Sequence, residues 1–263
     1  MKNRFKDASG YEKLICSVIS IAAFLILWQL MASFTEIGKL LTGPVVVLRL
    51  FFSSIVKPIG TFTIQMHILW SLSRVMIGFL FGSAAGIVAG ILMGWIKPID
   101  AIVRPIFEII RPIPPIAWIP LSILWFGLGE GSKYFLIFYA AFCGITMNAY
   151  SGVRSVDPEL IGAARMLGAT NRQVFTTIVL PSCVPHIFAG LQIAIGTSWA
   201  TVVAAEMVRS SEGVGWLIIK GQDSNSTVQI LVGIAAIGMV GYILAVTMRT
   251  IEAKLCRWRV RGK

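Results

Sequence analysis

The chain has 263 residues, of which 56% are hydrophobic and only 13% are charged, and its mean hydropathy is +0.81. A soluble domain of this length needs a more polar surface, so the composition excludes an ordinary soluble enzyme and predicts a membrane protein. The net charge of +11 would suggest nucleic-acid binding in a soluble protein. Here the Lys and Arg residues lie mainly at the ends of apolar stretches, which is typical of membrane topology, and no nucleic-acid partner is expected.

Six apolar stretches are long enough to cross a bilayer as helices. In chain order they cover about 14–34, 71–95, 102–126, 134–150, 187–208 and 228–248. The first is too long for a signal-peptide core and has no small-residue cleavage site, so it is expected to be retained. The predicted fold class is therefore all-α, a polytopic membrane protein of about six spans in a single domain over residues 1–263 that contacts membrane lipid.

The charges between the spans predict that both termini lie in the cytoplasm. An excess of Lys and Arg marks the cytoplasmic side of a membrane protein. The C-terminal tail has one acidic residue, Glu252, and six basic residues: Arg249, Lys254, Arg257, Arg259, Arg261 and Lys263. One predicted external segment disagrees, because Lys39, Arg49, Lys57 and Arg74 oppose Glu36 alone. Pro44 and the apolar residues up to Phe52 predict a short amphipathic helix there, which would place these charges among lipid headgroups.

The polar interval over residues 151–185 contains clear signals for a helix. Asp157 is a good N-cap, and Pro158 suits the first helical position, where its missing N–H is not needed. An apolar stripe at helical spacing follows, made of Leu160, Ile161, Ala164 and Leu167. Gly168 is then expected to end the helix in a left-handed conformation.

A second short helix is predicted directly after this one. Thr170 and Gln173 form a capping box at its start, and Pro181 and Pro185 are expected to end it near Leu180. The interval is therefore predicted to be a compact helix-turn-helix in the cytoplasm. Its apolar stripe fits a helix-in-groove contact with a partner protein, and it equally fits packing on the membrane surface or on the chain's own helices.

The same residues carry a family resemblance. Gly162, Ala163, Ala164 and Gly168, followed after nine residues by 178–181 (Ile-Val-Leu-Pro), resemble the Glu-Ala-Ala loop of ABC-importer permeases. The resemblance implies that this loop is the coupling helix, which docks into a cytoplasmic ATPase and transmits the ATP-driven motion. The coupling residues are then Gly162, Ala163, Ala164, Leu167, Gly168 and Ala169. Gly162 replaces the glutamate of many family members, so a charged contact to the ATPase is expected to be missing.

The resemblance extends over nearly the whole chain. Residues 111–121 (Arg-Pro-Ile-Pro-Pro-Ile-Ala-Trp-Ile-Pro-Leu) and 125–130 (Trp-Phe-Gly-Leu-Gly-Glu) resemble the taurine, sulfonate and nitrate branch of these permeases. Residues 199–206 add a particular similarity to taurine permeases. The branch implies import of a small sulfonate such as taurine. Nitrate, bicarbonate and vitamin precursors are carried by other members and remain alternatives.

The resemblance also implies the partners of the chain. The expected assembly is a homodimer in the bacterial cytoplasmic (inner) membrane with two copies of a cytoplasmic ABC ATPase and a periplasmic or lipid-anchored solute-binding protein. The chain has no Gly-x-x-x-x-Gly-Lys-Ser/Thr phosphate loop, so it is not expected to be the ATPase. It is expected to bind no cofactor, since ATP and Mg would be held by the partner ATPase. Its scattered Cys and His residues predict no metal site.

Two regions are candidates for the translocation pathway. Four prolines between Pro112 and Pro120 remove helical hydrogen bonds, and open backbone in a membrane is tolerated where protein covers it or where it lines a watery cavity. We therefore interpret this segment as part of the pathway wall, with Pro114, Pro115, Trp118 and Trp125 as candidate pathway residues. The less favoured interpretation is that the prolines only bend a packed helix and the tryptophans lie at the membrane interface. In the fifth span the candidates are Ser198, Thr201 and Glu206.

The acidic groups in or near the spans allow a second interpretation. Glu206 lies three residues before Arg209, so a structural ion pair on one helical face is as good an interpretation as a pathway role. Glu108 and Arg111 have the same spacing and the same two interpretations. A basic or hydroxyl group would bind an anionic or zwitterionic sulfonate better than Glu206 would.

Glycines recur every fourth residue in the second span, at Gly78, Gly82, Gly86, Gly90 and Gly94. Such a ridge lets another helix approach closely, either within the chain or across a dimer.

Other functional classes are less well supported. A secondary transporter would be expected to have paired intramembrane acids, and an enzyme a cluster of catalytic groups, neither of which is evident. The proline-rich third span argues against a scaffold without transport.

Overall fold

The computed structural model describes residues 10–39, 41–208 and 210–256. The helices within these ranges are α1 (Gly10–Phe34), α2 (Pro44–Ser53), α3 (Ile64–Trp95), α4 (Lys97–Ile110), α5 (Ile119–Phe126), α6 (Glu130–Arg154), α7 (Pro158–Met166), α8 (Asn171–Val174), α9 (Leu180–Val208), α10 (Val214–Asp223) and α11 (Thr227–Leu255). The described residues form no strand, only an isolated bridge between Ile59 and Phe62. The predicted all-α fold is confirmed. The tail cations Arg257, Arg259, Arg261 and Lys263 lie outside the described residues.

Five helical segments are long and apolar enough to cross a membrane: Ile15–Phe34, Ile64–Trp95, Glu130–Arg154, Asn171–Val208 and Thr227–Leu255. The third predicted span, 102–126, is broken. Lys97–Ile110 and Pro115–Phe126 meet at an angle of 87°. Prolines at 112, 114 and 115 cannot donate the hydrogen bonds that would continue α4, so the chain turns instead of crossing as one straight helix.

The chain divides into two compact units. The smaller comprises residues up to Ile64 and Leu217–Ile234, and the larger comprises Gln65–Trp216 and Ala235 onward. In the smaller unit α2 forms as predicted, with Val47 and Phe51 buried. There the Gln29 carboxamide lies against Gly43. A single domain over 1–263 stays a prediction.

The glycine ridge of α3 packs against α6 within the larger unit. A Cβ at Gly82 would lie 2.5 Å from the carbonyl oxygen of Phe138, and one at Gly86 would lie 3.0 Å from that of Phe142. Gly78, Gly90 and Gly94 meet α6 in the same way, against Ile137, Thr146 and Val153. Of the two interpretations of the ridge, intramolecular packing is the one that the structure confirms, because these glycines are already in contact with α6.

The α6 and α9 helices pack extensively against each other in the larger unit. Two apolar clusters lie along α6. One contains Met93, Phe107, Tyr139, Cys143 and Tyr150 and joins α3, α4 and α6. The other contains Val153, Val156, Val174, Val179 and Cys183 and joins α6 to the segment that enters α9.

The predicted end of the second short helix near Leu180 is wrong. The helix continues from Asn171 to Val208. A π-helical turn at Phe175–Val179 precedes Pro181, and the Leu180 N–H donates to the Phe175 carbonyl five residues back. This wider turn leaves room for the proline ring, which would clash with the carbonyl of the preceding turn in a regular α-helix. Pro185 also lies inside α9.

Candidate functional site

The first candidate region is the α7–α8 loop, and its local structure follows from its caps. The Asp157 side chain accepts a hydrogen bond of 2.9 Å from the Glu159 N–H. At the other end of α7, Gly168 has a φ of +84°, and the Ala169 and Gly168 N–H groups donate to the carbonyls of Ala164 and Arg165, each at 3.0 Å. This pair of bonds is a Schellman motif, which requires a left-handed residue at position 168.

The capping box at the start of α8 also forms as predicted. The Thr170 hydroxyl accepts from the Gln173 N–H, and the Thr170 N–H donates to the Gln173 side chain at 2.8 Å. The caps on the two sides of this four-residue turn therefore hold α7 and α8 in a defined orientation. The paired helices are set by local hydrogen bonds, which explains why the sequence predicted them.

The predicted apolar stripe of α7 divides between two faces. Ile161 and Ala164 pack against the Val153–Cys183 cluster. Leu160 is exposed, and at the tip of the loop Met166 and Leu167 are 91% and 89% exposed. Such exposure of two large apolar side chains is unfavourable unless a partner covers them.

The predicted coupling residues surround this tip. Ala163, Leu167 and Gly168 are exposed, and Gly162, Ala164 and Ala169 are partly buried. A Cβ at Gly162 or Gly168 would meet no atom within 4 Å. A groove of about 390 Å³ runs beside the tip, lined by residues that include Leu167, Gly168 and Ile178. Of the predicted coupling residues, Ala164, Leu167, Gly168 and Ala169 line this groove, and Gly162 lines a separate pocket.

The proline-rich break is held against α6 by one tyrosine. The Tyr139 hydroxyl donates to the carbonyls of Ile110 and Ile113, at 2.7 and 3.1 Å. These are carbonyls that a continuous α4 would have satisfied itself, so the tyrosine replaces hydrogen bonds lost at the break.

The aromatic residues of the break pack on α6. The Trp118 ring lies 5.4 Å from that of Tyr139 and 6.4 Å from that of Trp125, and Trp125 contacts Phe135. Pro114 and Trp125 are exposed, whereas Pro115 and Trp118 are partly buried. The predicted pathway residues of the third span therefore lie together on a kinked, partly open segment.

Glu206 lies elsewhere, inside a buried ionic cluster centred on Arg74. The Arg74 side chain is 0% exposed and forms ion pairs with Glu206 at 2.9 Å, Glu130 at 2.6 Å and Glu212 at 2.6 Å. Lys133 adds a second cation through its pair with Glu130 at 2.8 Å. The cluster joins α3, α6 and α9 to the segment that precedes α10.

Further hydrogen bonds hold the Glu206 carboxylate from other sides. The Ser71 hydroxyl donates to it at 2.8 Å, and the Gly215 N–H donates at 3.0 Å. Gly213, at a φ of +113°, contacts the same carboxylate, and its N–H donates to His67 Nδ1 at 3.1 Å. A side chain at position 213 would collide with Glu206, so glycine is required there.

Both acidic groups that allowed two interpretations form ion pairs within the described residues. Glu206 pairs with Arg74, which is 132 residues away, and Arg209 lies outside the described residues. Glu108 pairs with Arg104 at 2.8 Å and not with Arg111. The expectation that Arg74 lies among headgroups is wrong, because three carboxylates surround it.

Ser198 and Thr201 are buried in α9, a helix that also contacts the Pro115–Trp118 segment of the break. The Thr201 hydroxyl donates to the Thr197 carbonyl at 2.7 Å, and Ser198 Oγ has no hydrogen-bond partner among the described residues. Sequence reasoning missed Arg74 as the ion-pair partner of Glu206, and it missed Glu130 and Lys133 as members of the same cluster. A lone arginine within an apolar span was the available signal.

The chain matches a known family of transport proteins over most of its length. Residues 82–257 match the family described as binding-protein-dependent transport system inner membrane component. The chain belongs to this family. It is an integral inner-membrane permease subunit of an ABC importer, which confirms the resemblance seen in its sequence.

The curated relatives extend this assignment over nearly the whole permease. It is 35% identical to the taurine transport system permease protein TauC of Escherichia coli (strain K12), over 92% of this chain and 89% of the relative. It is 32% identical to the putative aliphatic sulfonates transport permease protein SsuC of Bacillus subtilis (strain 168), over 90% and 85%. It is 35% identical to the nitrate import permease protein NrtB of Synechocystis sp., over 88% and 86%.

Solved structures agree at the level of the fold. An inward-facing MetNI methionine ABC transporter matches with a TM-score of 0.61 and 20% identity, over 71% of this chain and 93% of that one. An amino acid ABC transporter matches with a TM-score of 0.58 and 16% identity, over 81% and 95%.

Proposed function

We propose that this permease imports a small sulfonate such as taurine by alternating access, working as a homodimer with two separate ATPase subunits and an external solute-binding protein. The permease itself binds no cofactor, and ATP and Mg are held by the ATPases. Both termini and the α7–α8 loop face the cytoplasm. Two of the relatives named above are described as carrying taurine or aliphatic sulfonates, which supports this cargo class.

The exposed apolar tip of the α7–α8 loop is the observation that carries the proposal. Met166 and Leu167 protrude from a loop whose inner face is packed into the cluster that joins α6 and α9. A partner that covers the tip can therefore push on two long helices through Ile161 and Ala164. Side chains in a close-packed cluster transmit such a displacement because the cluster does not compress. This is the geometry that a coupling helix requires.

The surface around the tip suits close approach by a partner. Ala163 is small, and the space around Gly162 and Gly168 is open, so another protein can contact the backbone of α7 directly. Gly162 supplies no carboxylate, so docking here depends on apolar packing of Met166 and Leu167 rather than on a charged contact.

The alternating-access proposal draws further support from the broken third span. Pro114, Pro115, Trp118 and Trp125 lie on a segment bent by 87°, and irregular backbone of this kind is placed against protein or a watery cavity in membrane proteins. We assign this segment to the pathway wall. Glu206 is engaged by Arg74, Ser71 and Gly215, which favours its structural role.

Uptake of labelled taurine by cells that express the complete importer tests the proposal. Uptake is expected to require this permease and to be lost in Leu167→Asp, because a carboxylate at the tip cannot be desolvated against an apolar groove. Leu167→Met, which keeps an apolar side chain of similar volume, is the matched control and is expected to retain uptake. Both variants must reach the membrane at the wild-type level.

The outcomes separate cargo from coupling. Nitrate uptake without taurine uptake would replace the proposed cargo with the alternative that the nitrate permease relative suggests. Equal uptake by Leu167→Asp and Leu167→Met would contradict the coupling role of the tip.

A further inference from the structure

The α4 helix presents charged and apolar residues on opposite sides. Asp100, Arg104, Glu108 and Arg111 follow one another at spacings of four, four and three residues and share one face. Ile102, Ile106 and Ile109 are 69%, 56% and 74% exposed and lie on the opposite face. In a membrane the isoleucine face suits lipid, so the charged face must point away from lipid, towards water or protein.

The end of α4 lies deep in the membrane-spanning part of the molecule. The Tyr139 hydroxyl binds the carbonyls of Ile110 and Ile113, which flank Arg111. Tyr139 is the tenth residue of the 25-residue α6, which begins at Glu130 and ends at Arg154. At 1.5 Å per residue it lies about 13 Å from one end of α6 and about 22 Å from the other, well within a hydrocarbon core of about 30 Å.

Arg111 differs from the other charges of this face. Arg104 and Glu108 neutralise one another at 2.8 Å and are 45% and 50% exposed. Arg111 is exposed, and within the ranges that the structure describes its guanidinium makes no hydrogen bond or ion pair. An uncompensated cation at this depth is costly against lipid, so it has to face a water-filled cavity or an anion.

Its position on the break matches the proposed pathway wall. Arg111 is immediately followed by the prolines that interrupt the helix, and the same short segment carries Trp118 and Trp125. The Arg111 side chain therefore lies at the bend of the proposed pathway wall. A guanidinium presents a planar set of N–H donors that matches the geometry of oxygen atoms on a small oxoanion.

We infer that Arg111 is a cargo-contacting residue of the pathway and that it recognises the oxoanion group shared by sulfonates and nitrate. The inference rests on the proposed importer function and adds to it a specificity-determining residue. It also gives the pathway a cationic group for the oxoanion, which an acidic residue such as Glu206 cannot provide. Arg104 and Glu108 line the same face as a neutral pair and add no net charge beside the cargo.

The experiment uses the complete importer, with its ATPases and binding protein, in proteoliposomes. Labelled taurine and nitrate are the probes, and Arg111→Gln, Arg111→Lys and Arg154→Gln are the variants. Arg154 is the matched control because it is also an exposed arginine, 54% exposed, but lies at the end of α6 away from the break. Assembly of each complex is checked by size-exclusion chromatography.

Arg111→Gln is expected to lower uptake of the transported oxoanion about 10-fold, which corresponds to the loss of one charge-assisted contact. Arg111→Lys keeps the charge and is expected to restore part of the uptake, and Arg154→Gln is expected to behave like the wild type. Wild-type uptake in Arg111→Gln, or equal losses in the Gln and Lys variants, would overturn the inference. Failure of the wild-type importer to carry either oxoanion would overturn the proposed cargo class and this inference together.

Discussion

At the scale of single residues, the buried cluster around Arg74 shows how a charge is accommodated inside an apolar bundle. Arg74 and Lys133 are matched by the carboxylates of Glu130, Glu206 and Glu212. Burial of a charge is tolerated when ion pairs and hydrogen bonds replace the lost water. The Ser71 hydroxyl and the Gly215 N–H complete that replacement for Glu206.

Removal of Arg74 is predicted to destabilise the permease strongly. In Arg74→Met the Glu206 carboxylate stays buried without its cation, and breaking a buried pair in this way typically costs about 3–5 kcal/mol. Arg154→Met removes a 54% exposed arginine whose nearest carboxylate oxygen, on Asp100, is 3.6 Å away, and its loss should cost about 0–1 kcal/mol. Thermal unfolding in detergent compares the two variants. Equal unfolding temperatures would show that the cluster does not stabilise the bundle.

At the scale of elements, the contact between α3 and α6 depends on residues that lack a side chain. The Cβ of an alanine at Gly82 would lie 2.5 Å from the Phe138 carbonyl and 2.9 Å from the Ala141 Cβ, and the obstructing atoms include backbone that cannot move aside easily. Gly162 in α7 has nothing within 4 Å of the same position. Replacement of glycine by alanine therefore causes a steric clash at Gly82 and none at Gly162.

Gly82→Ala and Gly162→Ala are predicted to change stability in opposite directions. Overpacking at Gly82 should destabilise by about 1–3 kcal/mol. Replacing an interior helical glycine by alanine at the open site in α7 should stabilise by about 0.5–1 kcal/mol. Thermal unfolding of the purified permease measures both. A stabilised Gly82→Ala variant would contradict the tight α3–α6 seam.

At the scale of the whole molecule, the proposed orientation predicts which surfaces can be reached from each side of the membrane. Met166 at the tip of α7 and Ser211 beyond α9 are both exposed. Met166 precedes, and Ser211 follows, the continuous helical segment Asn171–Val208, which includes the 29-residue α9. That helix alone spans about 43 Å, more than the hydrocarbon core.

Cysteine labelling tests this orientation. In a variant with the four native cysteines replaced by alanine, Ser211→Cys is expected to react with a membrane-impermeant maleimide in intact spheroplasts, and Met166→Cys only in inside-out vesicles. Each variant serves as the control for the other. If both cysteines react with the maleimide from the same side, α9 does not span the membrane. If each cysteine reacts only from the side opposite to the one expected, the orientation of the permease is the reverse of the proposed one.

Local signals in the sequence were sufficient for much of this protein. Apolar length predicted the spans, and the caps at Asp157, Gly168 and Thr170 predicted the α7–α8 turn, because these hydrogen bonds form between residues a few positions apart. The family resemblance was visible for the same reason, since each of its motifs lies in a continuous stretch of sequence.

Only the tertiary structure decided what depends on distant residues. The partner of Glu206 is 132 positions away, and the partner of the α3 glycine ridge is α6, so neither contact leaves a trace in local spacing. The helix through Pro181 continues because a π-helical turn makes room for the proline ring, and nearby sequence alone did not indicate that turn. The depth of Arg111 likewise follows from the hydrogen bonds that Tyr139 donates to the carbonyls of Ile110 and Ile113 on either side of it. Depth in a membrane is set by packing between helices and not by position along one helix.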